Sequence, residues 1–226
     1  MMKKYFDHVV VGAVVAAAAL FMSPIATAQT PPAAPPLRAP SLPVVHAVDL
    51  MTAQGASVLA AQWKTMEAKI VEREPIEEAL PGYTTAYDIS PHAGEAGFDD
   101  SAWPVIEAED LAARRSGGYV AFIWYRVNLT IPERIGDFET AGRTAVLTAH
   151  VDDYAEVWVN GQMPRRAGYS SPATIQGFNM PNRVVLSDDV QPGDQFQISI
   201  FGINGPISVA PANTVWFREA SLEFYP

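Results

Sequence analysis

The chain has 226 residues, no cysteine, 25 acidic against 15 basic side chains, and a formal net charge of −10. That balance excludes the basic surface that nucleic acid or anionic lipid requires. Without cysteine there is no disulfide framework, so stability must come from a hydrophobic core, which a chain of this length can bury.

Residues 1–28 read as a secretory signal peptide: Lys3 and Lys4 precede an uncharged apolar run over 9–22, and Ala26-Thr-Ala28 forms a small-x-small cleavage site. The run is short of the ~20 residues needed to span a bilayer, and Pro24 follows it. The expectation is export to a bacterial periplasm or the exterior, with no membrane attachment after cleavage. Residues 29–46 are rich in proline and alanine and read as an extended, solvated linker. The folded domain is expected over 47–226.

Residues 49–62 suggest one short helix, with Thr52 as cap, Val58, Leu59 and Trp63 as apolar stripe, and Gly55 as a weak point. A strand is expected over 63–71 and a short one over 83–89. Phe98-Asp-Asp-Ser-Ala-Trp103 reads as a tight turn followed by an aromatic anchor, since aspartates bond their own backbone in turns. From Tyr119 the pattern becomes strand-like. Over 119–131, Ile123, Tyr125, Val127, Leu129 and Ile131 share one face; Phe122, Trp124, Arg126, Asn128 and Thr130 share the other; Pro132 ends the run. Further strands are expected over 144–151, 155–159, 184–186, 195–201 and 214–225, with a phase break near 218–220. Asn160-Gly161 is a strong hairpin signal because both residues accept positive φ. Many short strands, glycine and proline turns, and little helix predict an all-β antiparallel sandwich.

Several residues could carry recognition. Asp152 and Asp153 sit at the mouth of the Asn-Gly hairpin; within a strand, neighbours point to opposite faces and could not form an acid/base pair. In a loop they could accept sugar hydroxyls or hold calcium, and a solvated turn is the plainer reading. His150 stands two residues earlier, but the two other histidines beyond the signal peptide, His46 and His92, lie far off in sequence, so a zinc site would be short of ligands. Trp63, Trp103, Trp124, Trp158 and Trp216 invite a sugar-stacking reading; tryptophans in strands more often fill a core, and most of the five are expected to be buried at least in part. Tyr169, in a loop, is the better stacking candidate. Arg126 could clamp a carboxylate or a uronic acid; a salt bridge to Glu156 or an aspartate is the plainer reading. Asn179, Asn182, Arg183 and Asn204 fall in or near turns and could converge with Asp153 at one rim. Asn128-Leu-Thr130 matches a glycosylation sequon but lies in a predicted strand. Phosphate loop, nucleophile elbow, Cys-x-x-Cys and His-Glu-x-x-His motifs are absent from the sequence.

Phe98-Asp-Asp-Ser-Ala-Trp103, Trp124-Tyr-Arg126, Val151-Asp-Asp-Tyr-Ala-Glu-Val-Trp-Val-Asn-Gly161, Gly168-Tyr169, and Leu186 with Pro192-Gly-Asp194 occur in that order. The series resembles the jelly-roll sugar-binding domain of the glycoside hydrolase family 2 type, a galactose-binding-like β-sandwich. The resemblance implies saccharide or sugar-acid recognition by rim loops. It implies no cofactor, although such sandwiches sometimes carry a structural calcium. Tyr87-Asp-Ile-Ser-Pro-His-Ala-Gly94, Asn182-Arg-Val-Val-Leu186, Phe201-Gly-Ile-Asn-Gly-Pro206 and Trp216-Phe-Arg-Glu-Ala-Ser-Leu-Glu-Phe224 are similar to the N-terminal extension of exported bacterial SMP-30/gluconolactonase-like proteins. There a β-propeller follows and carries the metal and the lactone chemistry. The sequence ends at Pro226 after the extension's last strand, so the propeller's catalytic residues have no positions to map onto. The expectation is therefore an exported, non-catalytic module binding carbohydrate or protein. The alternatives are an accessory subunit or truncated N-terminal part of a sugar lactone hydrolase, docked to a separate propeller subunit, or a purely structural envelope protein. Any enzymatic role would be by association, as a component of a lactone or glycoside hydrolase.

Overall fold

Strands of alternating polarity dominate the sequence, and they assemble into two facing antiparallel sheets in a computed structural model that describes residues 39–75, 85–164, 171–175, 177–205, 208 and 212–226. The elements run β1 (His46–Asp49), α1 (Ala53–Val58), β2 (Trp63–Glu67), β3 (Lys69–Arg73), β4 (Ala86–Ser90), β5 (Val105–Ile106), a 3-10 turn (Glu109–Ala112), β6 (Arg115–Gly118), β7 (Ala121–Thr130), β8 (Arg134–Ile135), β9 (Phe138–Glu139), β10 (Arg143–Asp152), β11 (Tyr154–Val159), β12 (Asn182–Val190), β13 (Gln195–Asn204) and β14 (Asn213–Tyr225). One sheet is ordered β1-β14-β10-β12, with β6 also on β14; the other is β11-β13-β7-β2-β5; β3-β4 and β8-β9 form separate pairs.

Alternation puts Tyr125, Val127 and Leu129 of β7, Leu147, Ala149 and Val151 of β10, Ile198 and Ile200 of β13 and Phe217, Leu222 and Phe224 of β14 between the sheets, all buried. Burial of this apolar area drives the association of the two sheets. The helix is shorter than its sequence suggests. Thr52 caps it as expected, accepting the Gly55 N–H at 3.1 Å. The strand expected over 63–71 is two strands in different sheets, β2 and β3, separated at Ala68. The short strand expected over 184–186 extends to nine residues as β12, because its polar ends continue the pairing with β10. The Asn160-Gly161 turn forms with φ of 50° and 78°. The expected hairpin reduces to one bridge, Val159 with Gln162, since the partner of β11 is β13 and β12 belongs to the other sheet. The phase break expected near 218–220 is a register shift, with His150 opposite Glu219 and Val151 opposite Phe217. Within the stretch read as a solvated linker, Ala39 packs on Val146, Val185 and Tyr225.

The polar-looking face of β7 is the main departure from expectation. Trp124 and Arg126 are as buried as the core face, because residues 91–103 fold over the outside of the β7 sheet. Trp103, Ala93 and Phe98 of this cover pack with Trp124, Phe201 and Trp158 in a second apolar cluster. Gly94 lies against the Trp158 indole so closely that a Cβ would fall 2.6 Å from the ring. Arg126, 3% exposed, fastens the cover. Its Nε donates to Asp100 Oδ2 at 2.7 Å, and its Nη1 donates to Ser199 Oγ at 2.8 Å and to the Ala93 carbonyl. Lys64 donates to the other Asp100 oxygen at 2.7 Å. Burial alone would raise the Asp100 carboxyl, but the hydrogen bonds from Lys64 and Arg126 outweigh it and hold the group below the ordinary carboxylate range.

Asp100→Ala leaves the Arg126 guanidinium buried without its counter-charge and is expected to lower unfolding stability by about 3 kcal/mol. Arg126→Met, which removes the charge and keeps the packing, is expected to cost less. Urea denaturation of both variants checks the order, and an equal or reversed cost would contradict the role given to the pair.

Candidate functional site

At one end of the sandwich the chain crosses between sheets. β10 ends at Asp152, residue 153 bends, and β11 begins at Tyr154 on the opposite sheet. The strict alternation expected for the two aspartates stops where the strand stops. Asp153 stands in the bend between the two strands, the loop setting that the sequence also allowed for the pair, and both carboxyls lie near Arg218. Both residues are buried, at 3% and 6% exposure. Asp152 Oδ2 accepts from Arg218 Nη2 at 2.6 Å.

Asp153 ties together three segments. Its N–H donates to the Ile203 carbonyl at 3.1 Å, its carbonyl accepts from the Asn179 N–H at 2.9 Å, and its Oδ2 accepts from the Gly205 N–H at 3.3 Å. Burial, then the hydrogen bond and the negative charge of Asp152, push the Asp153 carboxyl up to about 6; the Gly205 N–H and Arg218 oppose the shift. One guanidinium thus serves two carboxyls, and the pair keeps a proton that ordinary aspartates lose.

Around the pair stand groups of mixed character. Phe178 is 63% exposed, and its ring lies 6.2 Å from Tyr154 in an edge-on arrangement. Asn179 takes a positive φ of 52°, and its Oδ1 is closed off from solvent without a hydrogen-bond partner. Trp216, opposite Asp152 in register, carries the Arg114 guanidinium carbon 4.1 Å and that of Arg218 5.3 Å from its ring centroid. This arrangement can accept and donate hydrogen bonds to a hydroxylated ligand beside an exposed aromatic ring.

Of the residues singled out in the sequence, the structure brings Asp152, Asp153 and Asn179 together. Asn204 lies beside them, one residue before Gly205, but its Nδ2 is committed to the Thr214 carbonyl at 2.6 Å. Asn182 is buried and pins the neighbouring loop, donating to the carbonyls of Pro172 at 2.9 Å and Thr174 at 3.0 Å. Arg183 lies on the outer face of the β10 sheet, bonded to Glu223 Oε2 at 2.5 Å and to the Tyr225 hydroxyl. Arg126 lies under the cover, paired with Asp100. Tyr169 falls outside the described residues.

Trp63, Trp103 and Trp124 are buried, Trp158 is shielded by Gly94, and Trp216 is half-buried under arginines, in keeping with the expectation that most of the five are occupied in packing. His150 is half-buried with Nε2 unpartnered. Among the described residues, no three histidine, cysteine, aspartate or glutamate side chains converge as a metal site. Sequence reasoning missed Phe178, Tyr154 and Arg218. The one usable signal was an aromatic residue between Gly177 and Asn179 in a proline-interrupted loop.

No protein-family model matches the chain, and no curated protein matches it. Solved structures that are similar include β-glucuronidase 2 of Bacteroides uniformis covalently bound to cyclophellitol-6-carboxylate aziridine, at 15% identity and TM-score 0.44, covering 80% of this chain and 18% of that one. A second β-glucuronidase structure from Bacteroides uniformis aligns at 18% identity and TM-score 0.40, covering 74% and 18%. A glycosyl hydrolase family 2 member from Bacteroides cellulosilyticus aligns at 15% and 0.40, covering 72% and 20%. The chain therefore spans about a fifth of these enzymes' length. The assignment of the fold rests on strand order and register.

The raised Asp153 group makes a signed prediction. The folded state holds this proton up to about pH 6, whereas the unfolded chain releases it near the ordinary aspartate value of 3.8. Its contribution to stability is therefore full below about pH 4 and lost as pH rises through about 6. Asp153→Asn lacks this dependence. Its stability relative to the parent is expected to rise by on the order of 2 kcal/mol between about pH 4 and pH 7. Urea denaturation across that range measures the difference, and a flat difference would contradict the raised carboxyl.

Proposed function

We propose that the chain is a non-catalytic binding module of an exported protein, and that it holds a neutral saccharide at the rim formed by Asp152, Asp153, Phe178 and Asn179. The observation that carries this reading is the exposed Phe178 ring, edge-on to Tyr154, next to the buried carboxyls of Asp152 and Asp153. An aromatic face fits the apolar side of a sugar ring, and carboxylate oxygens accept hydrogen bonds from sugar hydroxyls. These groups stand on strand ends and tight turns of a packed sandwich, the setting in which loops carry recognition.

A neutral ligand is favoured because Arg126, the arginine that the sequence offers to a uronate, is bound to Asp100, and Arg218 at the rim is bound to Asp152. The non-catalytic part of the reading rests on the same geometry. Glycoside hydrolysis needs two carboxyls across a gap of roughly 5–9.5 Å that admits the scissile bond, whereas Asp152 and Asp153 are chain neighbours, both buried beside the same guanidinium of Arg218. Export rests on the signal-like residues 1–28, which lie outside the described residues. If a separate catalytic subunit exists, the rim would serve it by holding substrate.

Isothermal titration with neutral mono- and oligosaccharides, and with uronates as the charged comparison, tests the reading. Binding of a neutral sugar, weakened about tenfold by Phe178→Ala with Tm unchanged, is expected. No heat from any neutral sugar with correctly folded protein would retire it.

A further inference from the structure

A second surface stands at the opposite end of the β7 sheet, an open concavity of about 510 Å³ at the margin of the cover formed by residues 91–103. Its polar lining consists of Asn128, Thr130, Asn160, Gln195 and Gln197. Leu129 and Phe196 complete it but are core residues, so they contribute backbone and little side chain. We infer that this amide-lined concavity is a second binding site for the hydroxyl edge of a neutral saccharide, separate from the acidic rim.

Register builds the site. Asn128 pairs with Gln197 and Thr130 with Gln195 across β7 and β13, on the face turned away from the core. Asn160 joins them from its turn by a reciprocal bond to the Gln197 backbone: Oδ1 accepts the Gln197 N–H at 2.9 Å, and the Asn160 N–H donates to the Gln197 carbonyl at 2.8 Å. The Gln197 amide is oriented by its Nε2 donating to Ser199 Oγ at 2.9 Å, and its Oε1 is left without a hydrogen-bond partner. A shielded, unpartnered amide oxygen is an unusual expense in a folded protein unless a donor is supplied from elsewhere.

The chemistry of the lining selects the ligand class. Four carboxamides and a hydroxyl each donate and accept, as sugar hydroxyls do. No charged side chain lines the concavity, so nothing there favours an ionic ligand. A peptide would be recognised through a free strand edge, but the Thr130 N–H is taken by the Leu59 carbonyl and both backbone groups of Gln197 by Asn160. Recognition is left to side chains. With no exposed aromatic ring in the lining, the contact is to a hydroxyl edge and not to a ring face.

The test is a titration of the full chain, labelled for amide NMR, with lactose and with cellobiose, and with sodium glucuronate as charged comparison. Shifts at residues 128–130, 160 and 195–197 are expected with a neutral disaccharide. Affinity should fall about tenfold in an Asn128→Ala/Gln195→Ala double variant, whose two side chains are exposed and whose Tm should not change. The shifts should persist in Phe178→Ala. Shifts confined to residues 152–153 and 178–179 would overturn this site and leave the rim reading standing. Shifts confined to the amide surface would do the reverse. Unchanged affinity in the double variant, preference for glucuronate, or no shift with any sugar would overturn the inference.

Discussion

A buried guanidinium cannot be left unpaired, and in this protein that constraint decides which surfaces are open. Arg126 stands on the outer face of a sheet whose inner face already fills the sandwich core. Its donors are met by Asp100, Ala93 and Ser199, and the first two belong to the segment that covers the sheet. Satisfying the charge therefore requires the cover to lie down, and the cover brings Trp103 and Phe98 onto Trp124. The centre of the outer face is consumed by packing. What remains for recognition is the two ends of the strands.

Two of the ionic sites among the described residues are mirror images in stoichiometry. Beneath the cover, Lys64 and Arg126 share the single carboxylate of Asp100, which is held ionised. At the rim, Asp152 and Asp153 share the single guanidinium of Arg218, and one of the two carboxyls is driven to keep its proton. The first arrangement is closed, with every strong group directed inward. The second joins its buried pair to an exposed aromatic side chain and to an asparagine with an unmet acceptor. The same rule of charge pairing thus yields a structural clamp in one place and a chemically versatile edge in the other.

The inter-sheet core was legible because period-2 alternation marks one buried face: Tyr125, Val127 and Leu129, or Ile198 and Ile200, announce themselves. The second face of β7 was legible only in part. Phe122, Trp124 and Arg126 were placed on the second face, with burial of the tryptophan and an aspartate partner for the arginine both anticipated, but which aspartate it is, Asp100, and which segment covers them depend on a contact across 26 residues that no local pattern encodes. The same limit applies to the rim. Asp152 and Asp153 could be named as candidates, but the strand end that brings their carboxyls together depends on a crossover between sheets. Arg218 was visible only as a disturbance in the alternation of β14, because its partner is set by a register shift against β10. Asn182 and Asn204, read as turn residues, instead stand at strand ends, where their side-chain amides donate to backbone carbonyls.

The covered centre also separates the chemistry of the two ends. β7 and β13 run ten residues each in register from Ala121 and Asn204 at the rim to Thr130 and Gln195 at the amide surface. At about 3.3 Å per residue this places the two surfaces roughly 30 Å apart. A ligand running straight between them would have to pass over the loop that holds Gly94 against Trp158. Short ligands must therefore be bound independently at either end, with additive free energies and no cooperativity through contact. A polymer long enough to pass around the loop, or one presenting several chain ends, would engage both, and its apparent affinity would rise through effective concentration without any new contact. If both proposed sites bind saccharide, the cover would favour extended or clustered ligands over single ones by keeping the two sites apart.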